Sequence, residues 1–374
     1  MKTNSLEIYV HIPFCERKCD YCDFVSFKAN EDDKRRYFQR LNEQIKMKAE
    51  FTRGYRVDSV FFGGGTPSTA NASDIGSVLK TIRTNFFVSS DAEITIEVNP
   101  NSVTKEKLLF YKEIGINRIS IGLQSANNDE LRNLSRIHTY EEFLESYKLI
   151  RMTGFNNVNI DIMSALPGQS FESYMDTLQK VVFLKPEHIS AYSLIIEENT
   201  PFFKKYASGD GLVDEETERR MYHETKRFLW ENGYERYEIS NYCKPGFECR
   251  HNVGYWTRTP YLGFGIAAAS LYEEKRYQMH KDFKRFLNGD FCEEIEKLSR
   301  DDVMEEFMFL GLRLTCGVSK KDFLNAFFTD IHEEYDEAIK KLTSLGLMEE
   351  DEEHIFLTDM GMDVANTCMV EFMR

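Results

Sequence analysis

Short apolar segments alternate with longer amphipathic segments over about the first 230 residues. The apolar segments predict β-strands over residues 7–11, 57–62, 93–98, 118–122, 157–163 and 188–194. Between and after them, apolar residues recur at helical spacing and predict helices over residues 32–50, 73–85, 104–114, 140–153, 171–184 and 215–231. Six strands that are each followed by a helix indicate a parallel sheet, so we predict an α/β fold here.

The pattern changes after residue 232. Residues 261–270 combine small and apolar side chains and predict a strand that extends the sheet. From residue 290 the chain is mostly helical and ends in a hairpin-like stretch, with strands near 347–350 and 354–358. Helices followed by such a hairpin are typical of a winged-helix domain. We therefore predict a core domain over 1–232, a sheet extension over 233–289 and a winged-helix-like domain over 290–374.

Charge and hydropathy exclude several classes of function. The net charge of −15 argues against a nucleic-acid partner, because phosphate contacts need clustered Lys and Arg. Residues 290–374 hold 8 Lys and Arg against 22 Asp and Glu, which would attract a basic or membrane-associated protein or form a solvated surface that binds nothing. No apolar run of about 18 residues is present, so we expect no membrane-spanning segment. The first ten residues lack signal-peptide features, so we expect a cytoplasmic protein.

Three of the eight cysteines lie close together, as Cys15, Cys19 and Cys22 in a C-x3-C-x2-C pattern. Clustered thiols in a reducing compartment indicate metal or redox chemistry rather than disulfides. A zinc site would need a second ligand pair, Cys243 with Cys249 or His251, at a spacing that suits zinc poorly. A [4Fe-4S] cluster normally takes four thiolates, so three would leave one iron open to a small chelating molecule. The pattern favours the cluster.

Glycines and polar side chains occur at the carboxyl ends of the predicted strands. The segment G-G-G-T at 63–66 follows the second strand, Glu97 and Gln124 end the third and fourth, and Asp161 lies in the fifth. Parallel strands end at one edge, where such folds place their chemistry. A tight turn explains one glycine, but three also allow a ligand to approach the backbone. A buried carboxylate needs a partner, which could be a ribose diol, an ammonium group or a salt bridge inside the sheet.

These motifs resemble those of the radical S-adenosylmethionine (SAM) superfamily. Residues 9–15, Y-V-H-I-P-F-C, match the Y-x-H-I-P-F-C pattern of the branch that contains the oxygen-independent coproporphyrinogen III oxidases (HemN) and the HemW heme chaperones. The resemblance covers nearly the whole chain and implies a partial (β/α)6 barrel with a [4Fe-4S] cluster on the three cysteines. It also implies a set of SAM-binding residues: Tyr9, Tyr21, Gly64, Gly65, Thr66, Glu97, Gln124, Arg136 and Asp161. Arg136 would pair with the methionine carboxylate as a fork.

A second motif, H-N-V-G-Y-W at residues 251–256, follows the predicted barrel. From residue types alone, a His beside aromatic residues is most often packed and hydrogen-bonded. The segment also matches the HNxxYW motif that HemW proteins share, and this resemblance implies heme binding by His251, Asn252, Tyr255 and Trp256. A neutral imidazole is a standard axial ligand of heme iron, and flat aromatic rings can stack on a porphyrin. Cys243 and Cys249 are alternative ligands.

Three functions share such a barrel. Phe24 stands where HemN has a further cysteine, and only 14 residues precede Cys15, where HemN has a long extension. With the HNxxYW motif, these departures lead us to expect a heme chaperone that carries a radical SAM cluster and passes heme to an acceptor protein. The alternatives are decarboxylation of a porphyrinogen, as in HemN, and methyl transfer that modifies heme. We predict no catalytic residue and no coproporphyrinogen oxidase activity, and we leave SAM cleavage open.

Overall fold

The computed structural model describes residues 4–50, 52 and 54–373. Six parallel strands lie side by side in chain order: β1 (Asn4–Ile12), β2 (Tyr55–Gly64), β3 (Phe87–Val98), β4 (Arg118–Gln124), β5 (Val158–Ser164) and β6 (His188–Ser193). Each overlaps a predicted strand, although β1 and β3 begin earlier than predicted. The predicted α/β fold and partial barrel are therefore confirmed.

Helices connect these strands: α1 (Glu31–Ala49), α2 (Ala72–Asn85), α3 (Lys105–Glu113), α4 (Asn128–Asn133), α5 (Tyr140–Met152), α6 (Phe171–Phe183), α7 (Pro201–Tyr206) and α8 (Glu215–Glu231). Capping side chains begin several of them. The Asn30 side chain accepts a hydrogen bond from the backbone N–H of Asp33, and Thr139 and Glu142 form a capping box at α5. The six predicted helices are present, and the short helices α4 and α7 were not predicted.

Side chains of β1 alternate between two environments. One set is fully buried in the core that includes α1 side chains: Leu6, Ile8, Val10 and Ile12. The other set points into the barrel: Glu7, Tyr9 and His11. This period of two matches the strand geometry and gives the barrel an apolar outside, covered by helices, and a polar inside.

Further strands extend both sides of the barrel sheet. Beside β6 lie β8 (Asn241–Cys243) and β7 (Glu235–Arg236), and beside β1 lie β9 (Tyr261–Phe264), β10 (Ala269–Tyr272), β11 (Lys275–Met279) and β12 (Glu293–Lys297). Helices α9 (Arg250–Trp256) and α10 (Phe283–Leu287) belong to the same region. The prediction of one strand over 261–270 is wrong, because the chain turns between β9 and β10, with Gly265 at φ +97° and Ala267 at φ +59°.

The C-terminal residues form a second hydrophobic core that runs from Met304 to Phe372. Its elements are α11 (Arg300–Gly311), β13 (Val318–Ser319), α12 (Lys320–Phe327), α13 (Ile331–Ser344), β14 (Met348–Glu350), β15 (His354–Leu357), α14 (Asp359–Asp363) and α15 (Ala365–Val370). The antiparallel pair of β14 and β15 is the predicted hairpin, and this part of the chain is winged-helix-like. The domain boundaries at 232/233 and 289/290 stay predictions.

Within residues 4–50, 52 and 54–373, no helix is long and apolar enough to cross a membrane.

We predict that Gly65→Ala destabilises the barrel. A Cβ at this position would lie 2.8 Å from the backbone oxygen of Phe14 and 3.0 Å from that of Ile12, and backbone atoms cannot move aside as side chains do. Overpacking of this kind costs about 1–3 kcal/mol, which thermal unfolding would report as a lower Tm. The control is Gly76→Ala in α2, where the Cβ would meet only the ends of two side chains, Phe110 and Ile114. Equal Tm values for the two variants would contradict this packing.

Candidate functional site

The loop after β1 carries the three clustered cysteines. It leaves the strand and returns beside it, with hydrogen bonds from the Cys15 N–H to the Phe27 oxygen (3.0 Å) and from the Phe27 N–H to the Pro13 oxygen (2.8 Å). Cys15, Cys19 and Cys22 are partly exposed and all line one cavity at the carboxyl ends of the strands. Burial raises the pKa of the Cys15 and Cys22 thiols.

The second ligand pair of the zinc alternative lies elsewhere. Cys243 pairs with His188 at the start of β6, and the Cys249 thiol is 3.5 Å from Glu93 near the middle of β3. Both cysteines are buried, on the side of the barrel away from the cysteine loop. Among the described residues, no group of three or more His, Cys, Asp or Glu side chains is gathered closely enough to hold a single metal ion. This geometry does not provide the tetrahedral ligand set of a structural zinc.

The cavity beside the three thiols brings together most of the residues predicted to bind SAM. Those that line it are Tyr21, Gly64, Gly65, Thr66, Glu97, Gln124, Arg136 and Asp161. Tyr9 does not belong to this lining. Its ring lies deeper in the barrel, where its hydroxyl is 3.1 Å from Nδ1 of His11.

Two carboxyl groups face the cavity from neighbouring parts of the barrel. Glu97 accepts a hydrogen bond from the Gly64 N–H at 3.1 Å, and Asp161 accepts one from the Asn159 amide at 2.7 Å. Burial, followed by the nearby Asp161 charge, raises the pKa of Glu97 to about 8. Burial also raises the pKa of Asp161. A cation or a diol in the cavity would add to these hydrogen bonds and would stabilise the ionised form of both groups.

Arg136 links the cavity to the cysteine loop. Its guanidinium donates to the Gly122 oxygen (2.7 Å) and to Oδ1 of Asn99 (3.0 Å), and Nη1 lies 3.8 Å from Sγ of Cys19. The Nε atom is buried and has no hydrogen-bond partner. An unsatisfied guanidinium N–H beside a predicted cluster ligand fits a carboxylate-bearing ligand.

Two of the cavity residues that sequence reasoning missed contact predicted residues. Asn99 donates to Oγ1 of Thr66 at 2.8 Å and accepts from Arg136, so it holds two predicted residues in place. Tyr192 donates to Oε1 of Gln124 at 3.2 Å. Asn99 follows β3, and Tyr192 lies near the end of β6. Glu97 was selected because it lies at the carboxyl end of a strand, and the same criterion could have found both residues.

Packing within the protein explains the need for glycine in the G-G-G-T segment. Gly64 has φ +112°, and a Cβ there would lie 2.5 Å from the His11 ring. Gly65 is enclosed by the backbone of the cysteine loop. The glycines therefore bring β2 close to β1 and to the loop, and their presence alone does not indicate a ligand.

The HNxxYW motif lies on α9, at the opposite end of the barrel from the cysteines. His251 is only 2% exposed, with Nδ1 2.7 Å from Oγ of Ser59 and Nε2 3.0 Å from the hydroxyl of Tyr255. Its ring stacks on Phe61 at 5.1 Å between centroids. Burial, followed by the Arg118 charge, lowers the pKa of His251 to about 3, so the imidazole is neutral.

Comparisons with known proteins show the family of this chain. The model of the radical SAM superfamily matches residues 9–181, and that of the HemN C-terminal domain matches residues 298–364. The heme chaperone HemW of Bacillus subtilis is 32% identical over 98% of both chains, and that of Lactococcus lactis is 33% identical over 100% of this chain and 98% of its own. The chain belongs to the HemW-type radical SAM family.

A solved structure shows how far the HemW-type fold is shared. The coproporphyrinogen III oxidase HemN of Escherichia coli, described as a radical SAM enzyme, superposes with a TM-score of 0.86 at 26% identity, covering 99% of this chain and 90% of its own. Fold alone therefore does not separate HemW-type proteins from HemN. Membership of the radical SAM superfamily implies a [4Fe-4S] cluster and SAM, and the roles of the individual residues stay predictions.

We predict that Glu97→Gln stabilises the SAM-free protein more at high pH than at low pH. The folded-state pKa of Glu97, about 8, lies above the ordinary value of 4.5, so the folded protein retains a proton that the unfolded chain loses between these values. Stability contributed by this group is therefore lost as the pH rises from about 4.5 to 8. The Tm difference between variant and wild type should grow between about pH 5.5 and pH 8.5. The control is Glu113→Gln on the exposed side of α3, and an unchanging difference for Glu97→Gln would contradict the assignment.

Proposed function

We propose that this protein is a heme chaperone built on a radical SAM barrel. It holds a [4Fe-4S] cluster on Cys15, Cys19 and Cys22, binds SAM beside the cluster, and passes heme to an acceptor protein. The cluster and SAM sites are supported by one observation: three partly exposed thiols, two carboxyl groups and a guanidinium line the same cavity. The heme function is supported by the two relatives named as heme chaperones and by the complete HNxxYW motif.

Each group has a distinct part in the proposed SAM site. When bound, the cluster would offer its open iron to the amino and carboxylate groups of SAM and could supply an electron. Arg136 would orient the carboxylate through its unpaired Nε. Glu97 and Asp161 would accept hydrogen bonds from hydroxyl or ammonium groups, while Tyr21 and Gln124 line the remaining wall. The proposed role of Tyr9 is indirect, because its ring lies beneath this lining next to His11.

For heme, His251 supplies a neutral imidazole, and Asn252, Tyr255 and Trp256 lie on the same helix, α9. Neutral imidazole is the form that binds iron. In the conformation described here, both ring nitrogens already have partners within the protein. Ligation of heme iron by His251 therefore requires α9 to move.

Coproporphyrinogen oxidation is the second candidate, because the fold matches HemN closely. Phe24 argues against it. Its side chain is 68% exposed at the cavity and presents an apolar ring where the oxidase has a thiol. No contact in the described part of the chain favours the methyltransferase alternative.

The acceptor is proposed to be a protein with a basic surface or a membrane-associated one. The acidic side chains of the C-terminal domain support this choice by charge complementarity, since 22 of its residues are Asp or Glu. We also propose that the protein is cytoplasmic and that it does not bind nucleic acid.

We expect Cys19→Ala to abolish the iron–sulfur cluster. After anaerobic reconstitution, the wild type should contain about four irons and four sulfides per chain and show a broad charge-transfer absorption, because three thiolates suffice to hold the cluster. The variant should lose both signals. Cys292→Ala, which removes an exposed thiol outside the loop, is the matched control. Stoichiometric zinc without sulfide in protein purified without air would contradict the proposal.

We expect the protein to bind heme and not to decarboxylate coproporphyrinogen III. Anaerobic incubation with coproporphyrinogen III, SAM and a reductant should yield no protoporphyrin after oxidation, whereas HemN from Escherichia coli, as the positive control, should yield it. A heme titration should give a saturable shift of the Soret band, weakened in His251→Ala while the cluster absorption stays. Sustained turnover, with heme binding undiminished in His251→Ala, would support the oxidase instead.

A further inference from the structure

The proposed heme motif is closed by contacts within the barrel. His251 lies against Ser59 and Tyr255, and its Nδ1 is 3.7 Å from the Glu7 carboxylate. An axial ligand needs one ring nitrogen that faces open space wide enough for a porphyrin. Neither nitrogen of His251 has such space in this conformation, so the residues do not fit heme as they stand.

A second set of contacts covers the motif from outside the barrel. The guanidinium of Arg313, just after α11, lies 4.3 Å from the centroid of the Trp256 ring. This is a cation–π contact, and Arg313 also lies 3.9 Å from the carboxylate of Glu238 on the barrel side. The indole Nε1 of Trp256 is buried and has no hydrogen-bond partner. The C-terminal domain therefore covers the ring that would stack on heme.

A buried carboxylate on α11 adds to this cover. Glu306 accepts from Nε of Arg258 at 3.0 Å and also pairs with Arg276 of β11. Arg258 lies two residues after the end of α9 and has φ +52°, a left-handed conformation that is unfavourable for a residue with a side chain. Arg258 forms ion pairs with Glu306 and with Glu274, and both pairs hold the end of α9 in this conformation. Arg258 and Glu306 are nearly buried, which makes their pair harder to break than one at the surface.

We propose that the C-terminal domain is a latch that keeps the HNxxYW motif closed, and that heme capture requires its release. The latch consists of Arg313 and Glu306 on the domain side and of Trp256 and Arg258 on the motif side. Arg313 and Glu306 are positioning residues, because they act through α9 and do not touch heme. The inference rests on the proposed heme function, since it assigns that function a closed and an open state.

Trp256 allows the latch to be measured without heme. The chain has two tryptophans, and Trp230 is 67% exposed on α8, so Trp230→Phe leaves Trp256 as the sole indole reporter. In this background, acrylamide should quench Trp256 weakly. Quenching should become about two- to tenfold more efficient in Arg313→Met, which keeps an apolar side chain but removes the cation. Glu306→Gln should act in the same direction. Arg300→Ala, on the same helix but bonded to the Phe327 oxygen instead, should not.

Heme association then tests the consequence. Stopped-flow mixing of ferric heme with each protein, followed at the Soret band, should show association about three- to tenfold faster in Arg313→Met and Glu306→Gln than in wild type or Arg300→Ala. The added His251→Ala substitution should remove this acceleration. Circular dichroism and cluster content would show whether the variants are folded. If Arg313→Met is not folded, Glu306→Gln provides the test instead.

The outcomes separate the inference from the proposed function. Equal quenching of Trp256 in all variants, or equal rates of heme association among variants that bind heme, would overturn the latch. If Trp256 becomes accessible in Arg313→Met but no variant binds heme, the latch closes the motif as proposed and the heme function fails. If heme association stays faster when His251→Ala is added, heme binds elsewhere. That result would overturn the proposal that the latch regulates heme binding at this motif.

Discussion

The barrel depends on keeping ionisable side chains inside a parallel sheet whose outer face is packed under helices. Glu93, Glu97 and Asp161 point inward, and the side chain of Arg118 lies among them, 2% exposed. Removing such groups from water is costly unless opposite charges and hydrogen bonds compensate. Arg118 provides the positive charge, and it also helps burial to lower the pKa of His188 and His251, so both rings stay neutral. The outer apolar positions can then pack without interruption.

This polar interior joins two ends with different properties. At the carboxyl ends of the strands the cavity is open, and thiols, carboxyl groups and Arg136 face it. At the other end α9 fills the barrel. Between them runs a series of hydrogen bonds, from Asp161 to Asn159 (2.7 Å), on to His188 (2.6 Å) and then to Tyr237 (2.9 Å), whose hydroxyl accepts from the N–H of Cys249, the residue that precedes α9. The proposed SAM and heme sites are thus separate in space but share one buried network.

Local signals in the sequence predicted much of this arrangement. The alternating and helical hydrophobic patterns predicted the six strands and their helices. The position of polar residues at the carboxyl ends of strands predicted Glu97, Gln124 and Asp161. Both signals depend on geometry within a few residues of the chain. Interactions between distant segments account for the differences. The strand predicted over 261–270 breaks at Gly265 and Ala267, and the glycines at 64 and 65 serve contacts with β1 and the cysteine loop. The enclosure of His251 depends on Ser59, which is 192 residues away, and no local pattern reports it.

The central claim is that the cysteine loop holds a four-iron cluster with one iron open to SAM. Mössbauer spectroscopy of protein reconstituted anaerobically with iron-57, with and without SAM, tests it most directly. The account predicts that one iron site of the four changes its isomer shift when SAM is added, while the three thiolate-bound sites keep theirs. Spectra in which all sites respond alike, or in which SAM changes nothing, would contradict it.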